Sequence, residues 1–293
     1  MTHLLLLRVC TLLTLGPGLA AAAAAQGLSA DDVLAGTHVH GLALKGPTRL
    51  LVATHHGLFA TDLLSRRAEG MAGDPTDFMG FGAVPGTPDA FLASGHPPEG
   101  GNLGVVSSTD GGATWEALSP GAGGPVDFHQ MDVSKADPQL AWGVHHGAVL
   151  QRSRDGGASW DEVGPAPEGI IDLAASARDP EMLFAATEGG LLVSRDGGLA
   201  WEAAHPARAP VTVVDVGGDG RIMAFVLGED LVAANEAALD WEVLSDAFGG
   251  SYPLHLARDA AEPDRIVAAT GDGRLMMSTD GGAGWATLAV PAS

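Results

Sequence analysis

The sequence predicts an all-β fold, a six-bladed β-propeller, on three observations. A short pattern recurs along the chain, with its tryptophans at 115, 160, 201, 241 and 285, roughly forty to forty-five residues apart, the length of one propeller blade. Between successive copies lie three short apolar runs, and a fourth follows each copy, which makes four strands per repeat. The 42 glycines and 18 prolines are scattered throughout the 293 residues and demand frequent turns.

The pattern is S-x-D-x-G-x-x-W. It is supplied by Ser108, Asp110, Gly112 and Trp115; by Ser153, Asp155, Gly157 and Trp160; by Ser194, Asp196, Gly198 and Trp201; and by Ser278, Asp280, Gly282 and Trp285. A degenerate copy ends at Trp241, with Glu236 and Ala238 in the Asp and Gly places, and a weaker one without Trp lies near Thr61 to Ala68. The residue types suit a tight turn: Ser and Asp bond to nearby backbone N–H groups, Gly permits positive φ, and Trp packs between blades. The third repeat shows the strand order well: Val126 to Ser134, Gln139 to His145, Ala148 to Ser153, then the turn and Trp160 to Val163. A seventh blade would need about forty further residues.

These copies resemble the Asp-box, or BNR repeat, of sialidases, sortilin-type receptors and many secreted glycan-active enzymes. The resemblance covers nearly all of the chain after its N-terminus. It implies that the box joins the third and fourth strands of a blade and is a folding element rather than a catalytic one.

The N-terminus reads as a secretory signal peptide over 1–25. A weakly basic start precedes the apolar stretch Leu4 to Leu19, and Ala20 to Ala25 offers small-residue cleavage sites. A linker over 26–36 and a single propeller domain over 37–293 are expected to follow, giving a periplasmic or secreted protein with no membrane span. The one cysteine, Cys10, falls inside the signal, so the mature chain has no disulfide, thiolate metal site or cysteine nucleophile. A formal net charge of −21, with Lys45 and Lys135 the only lysines, argues against nucleic acid as a partner.

The histidines are placed systematically. In each blade the start of the first strand and the end of the second meet at one face near the axis, opposite the box turns. His38 and His40 open the first strand of blade one, and His55-His56 close its second. Met79 and His96 take these places in blade two, and His129 and His145-His146 in blade three. Alternation puts His38 with His40, Asp77 with Met79, and Asp127 with His129 on common sides. Imidazole suits zinc and copper, and thioether favours Cu(I). The expected ligands are therefore His38, His40, His55, Met79, His96 and His129, holding a transition metal, copper before zinc. Asp77 and Asp127 are expected to orient the imidazoles rather than to bind metal themselves.

The segments His38 to Gly41, Thr54-His55, Asp77 to Phe81, Ser94 to Pro97 and Asp127 to His129 are also similar to the signature of a bacterial group of exported Asp-box proteins. That group is usually labelled sialidase-like or glycosyl hydrolase on repeat similarity, and the match implies that these positions carry its function. Two other readings stand beside the metal one. A glycoside hydrolase could use Asp77 and Asp127 as its carboxylate pair, although the single Tyr252 and the lack of an arginine cluster do not fit a sialidase. A scaffold or ligand-binding disc would present the same face to a small molecule, glycan or protein.

Overall fold

Each repeat folds into one antiparallel sheet in the computed structural model, which describes residues 28–71 and 76–290. Four strands pair in chain order within every blade, so each blade is built on a meander of neighbours. The innermost strands are Val39–Lys45, Asp77–Ala83, Phe128–Val133, Ile170–Ala175, Val211–Val216 and Pro253–Arg258. They touch in ring order, the sixth against the first, and enclose a central channel of about 350 Å³. The expected all-β, six-bladed propeller is therefore what forms. Among the described residues the only helix is the short Ala30–Leu34, and no helix is long and apolar enough to cross a membrane.

The repeated turns behave as their residue types require. Ser153 Oγ accepts the Gly157 N–H at 2.8 Å and donates to Asp155 Oδ1 at 2.8 Å, while Asp155 accepts the Ser159 N–H at 2.8 Å. Gly157 sits at φ 95°, which a side chain would strain. The four complete copies share this geometry, and each Trp indole N–H donates to the carbonyl of its own box glycine: Trp115 to Gly112, Trp160 to Gly157, Trp201 to Gly198 and Trp285 to Gly282. Each of these rings packs at the seam with the preceding blade, so the core is six apolar clusters, one per seam.

The degenerate copies are put to other uses. Glu236, in the place of a box Asp, is buried and accepts the Ser176 hydroxyl at 2.5 Å and the Ala177 N–H at 3.3 Å, tying blade five to blade four. Blade one has no tryptophan, and the stretch 26–36, expected as a linker, supplies the missing apolar surface in its described part. Leu28–Ser29 adds a fifth strand to blade one, and Ala30, Val33 and Leu34 bury themselves with Leu275 and Leu288 of blade six. Ser29 caps this helix through a reciprocal bond with Asp32. The expected signal segment 1–25, with Cys10, lies outside the described residues.

All six first strands carry a register shift near the end where they start, between Val39 and Gly41, Met79 and Gly82, Phe128 and Gln130, Ile170 and Asp172, Val211 and Val214, and Pro253 and His255. A bulge re-aims side chains at the place where it occurs. Here that place is the channel mouth opposite the box turns.

Candidate metal centre

At this mouth the histidines and two carboxylates gather into two sets of three. In the first, spanning the seam of blades one and two, His40 Nε2 lies 3.0 Å from His55 Nδ1, which lies 2.8 Å from Asp77 Oδ2. His40 Nε2 is 3.7 Å from the other oxygen, Asp77 Oδ1. In the second, spanning blades two and three, Asp127 Oδ2 is 2.7 Å from His129 Nε2 and 3.2 Å from His96 Nε2. Both sets bring three potential ligand atoms together. Ligands about 2.0–2.2 Å from one tetrahedral ion stand about 3.3–3.6 Å from each other, and the observed separations, 2.7 to 3.7 Å, bracket that range.

The hydrogen bonds around these atoms leave each set incomplete. His96 Nδ1 donates to the Gly101 carbonyl at 2.8 Å, so in the neutral ring Nε2 presents a lone pair, and that lone pair faces the Asp127 carboxylate. His55 Nδ1 has one position with which to serve both His40 and Asp77. Asp77 Oδ1 and Asp127 Oδ1 are buried and accept no hydrogen bond, a costly arrangement for a carboxylate. Asp127, only 2% exposed, is held from behind by its own amide donating to His145 Nδ1 at 3.1 Å. The donor chemistry of both sets, two imidazoles and a carboxylate with an unused oxygen, fits a divalent transition metal.

The electrostatics prepare neutral imidazole on one side and an ion pair on the other. Burial pushes His40 down to about 4, helped by the neighbouring His55 and opposed by Asp77. His255, walled in by the channel and donating to the Val39 carbonyl at 2.9 Å, is pushed down by burial to about 4. His129 is raised by its hydrogen bond to Asp127, against its partial burial. Burial would raise Asp127, but the bond and charge of His129, with His96 and His146, hold it below the usual carboxylate range.

Four of the six expected ligands therefore gather at two points. His40 and His55 join Asp77, His96 and His129 join Asp127, and His38 stands edge-on to His55 with ring centroids 5.6 Å apart. Met79 is buried in the channel wall alongside His40 and His129. Asp77 and Asp127, expected as orienting groups, stand within hydrogen-bond distance of His55 and His129 and also lie among the ring nitrogens of each set. His205 is remote, packed on Trp241 and 3.6 Å from Glu229. Sequence reasoning did not find the Gly101 carbonyl. The Asp172 carboxyl lies deeper in the channel, and burial there, with Asp132 and Asp215 near, pushes it up to about 8 despite accepting the Val214 and Leu173 N–H groups.

No protein-family model matches the chain, and no curated protein sequence does. Solved structures are similar in fold. The GH74 xyloglucanase from Xanthomonas campestris is 20% identical with a TM-score of 0.58, covering 89% of this chain and 46% of its own. The Niastella koreensis GH74 enzyme is 15% identical with a TM-score of 0.61, covering 86% and 45%. YCF48 from Cyanidioschyzon merolae is 18% identical with a TM-score of 0.52, covering 86% and 84%. The chain thus spans less than half the length of the GH74 enzymes, and at these identities the likeness is one of fold alone.

Proposed function

We propose that this protein is an exported, transition-metal-binding propeller of the Asp-box, sialidase-like kind, with copper before zinc as its metal. The observation that carries the reading is the pairing of His96 with Asp127. A ring nitrogen and a carboxylate oxygen 3.2 Å apart need a proton or a metal cation between them, and the Gly101 carbonyl, by taking the Nδ1 proton, leaves Nε2 as the nitrogen that faces Asp127. His40, His55 and Asp77 would hold one ion, and His96, His129 and Asp127 another. Copper(II) outranks zinc on such nitrogen and oxygen donors, and Met79 on the adjoining wall suits the reduced ion. Export rests on the pattern of residues 1–25.

Glycoside hydrolysis, the activity class of the GH74 neighbours, is the second reading. It needs a carboxyl that keeps its proton beside one that does not. Asp77 and Asp127 each face two imidazoles instead, and Asp127 is held deprotonated. The deciding experiment is elemental analysis of untagged protein from the exported fraction, with His40→Ala/His129→Ala in parallel. Wild type is expected to carry copper or zinc and the double variant to lose most of it, with circular dichroism unchanged. Wild-type copper and zinc affinity in the double variant would discard the metal reading in favour of a scaffold.

A further inference from the structure

The two sets of donors are not separate features of the rim. Asp77, from the first, and His96, from the second, are register partners across the first two strands of blade two. Antiparallel partners have Cα atoms about 4.5–5.5 Å apart. Blade two thus roots one donor of each set on a single rung of its ladder, and blades one and three supply the remaining donors from either side.

Charge and access add to this. Each set provides three donors, one of them an anion, so two divalent ions would leave the pair with two uncancelled positive charges and open coordination positions. His55, His96 and His129 keep 43%, 38% and 45% of their side-chain surface exposed, so the open positions face solvent. Deeper in the channel the cations are already matched: Lys135 lies 3.2 Å from Asp132, and Arg258 is bonded to Asp215. On a chain of net charge −21, the loaded mouth would be an isolated positive spot.

Resting on the metal reading above, we infer that the two sets form one binuclear centre that binds a phosphoryl dianion, with one oxygen toward each ion. A tetrahedral dianion matches the uncancelled charge and offers two oxygens to two neighbouring ions. The dianion could be free inorganic phosphate or the phosphoryl group of a monoester, and the two differ only in whether an organic substituent must fit at the mouth.

The test uses untagged full-length protein, stripped by chelation and reloaded. Cupric EPR during titration should show a sharp signal with the first equivalent and dipolar broadening with the second, while Asp77→Asn and Asp127→Asn should each hold one copper with a sharp signal. Calorimetry on the zinc-loaded protein should then show inorganic phosphate or phenylphosphonate binding at least tenfold tighter to wild type than to either single-ion variant, and not to apo-protein. Binding of phosphate alone would mark the free anion, and binding of phenylphosphonate as well would mark a monoester. Two bound coppers without broadening, or phosphate affinity equal in the single-ion variants, would overturn this inference and leave the metal reading standing. Failure of the wild type to bind either metal would overturn both.

Discussion

Replacing Asp127 by Asn separates what the carboxylate does for metal from what it does for the fold. The amide keeps the shape of the side chain and removes its charge. In the apo-protein little should be lost. Asp127 is buried with Oδ1 unpartnered, and its main partner, His129, is about half exposed, so deleting an uncompensated acceptor offsets much of the lost pairing and the net change should stay within about 1 kcal/mol. With metal the outcome differs. At a free concentration a hundred times its dissociation constant, each ion stabilises the native state by about 2.7 kcal/mol. Two ions contribute about 5 kcal/mol, which for a chain of this size raises Tm by about 10–20 °C. Asp127→Asn should keep about half of that rise, because the set around Asp77 is intact. Differential scanning calorimetry with and without zinc reads both numbers. A variant that keeps the full metal-induced rise, or whose apo-protein melts as far below wild type as the rise itself, would refute the reasoning.

Asp172→Asn should change the pH dependence of stability. The native carboxyl, pushed up to about 8, binds its proton more tightly than the unfolded one near 3.8, so wild-type stability falls as pH rises from about 4 to about 8. The variant lacks that fall: its urea midpoint should match wild type near pH 4 and exceed it at pH 8–9, and parallel profiles would contradict the burial argument. Gly95→Ala should destabilise by about 2–4 kcal/mol in urea melts, because Gly95 sits at φ 134° and an added Cβ would overlap the Asp77 carbonyl; a change under half a kcal/mol would show that this corner of blade two yields easily. Trp160→Ala should cost about 3–5 kcal/mol, since the ring is 7% exposed and packs 4.8 Å from Phe128 at the seam of blades two and three; a near-neutral result would remove the seam role given to the box tryptophans.

The blade count and the face bearing the histidines were legible because both follow from local pattern. Four copies of one turn set the period, and the up-and-down course of a meander then fixes which strand ends share a face. Alternation also paired Asp127 with His129 correctly, at 2.7 Å. What was not legible depends on the closed ring. The bulges beneath the mouth carry a left-handed glycine only in blade two, at Gly80, so in the other five strands the pattern does not show where side chains are re-aimed. That Asp77 and Asp127 each keep one buried oxygen unbonded depends on their neighbours in the closed ring, which spacing cannot reveal. Glu236 looked like a failed box residue because its partner, Ser176, lies in another blade. The helix Ala30–Leu34 looked like a linker because its apolar positions matter only once blade six closes on blade one.

The ring also explains why the donor sets lie where they do. At the channel wall, the seams from blade three round to blade one are each closed by a complete hydrogen bond between first strands or their flanks. Asp132 accepts the Ala175 N–H, Asp172 the Val214 N–H, Thr212 donates to the Pro253 carbonyl, and His255 donates to the Val39 carbonyl. The seams of blades one and two and of blades two and three are joined at the mouth by imidazole–carboxylate sets, in which one oxygen of each carboxylate is left without a partner. The seam of blades two and three is also held by the Phe128 N–H donating to Ser94 Oγ at 3.0 Å, and a cation in each set would add a further tie across both seams. The metal-induced rise in Tm should then be accompanied by slower amide exchange in Asp77–Ala83 and Phe128–Val133, the first strands of blades two and three, and not in Val211–Val216 of blade five. Hydrogen exchange with and without zinc tests this, and uniform protection across all six first strands would show that the ion stabilises the disc without tying those two seams.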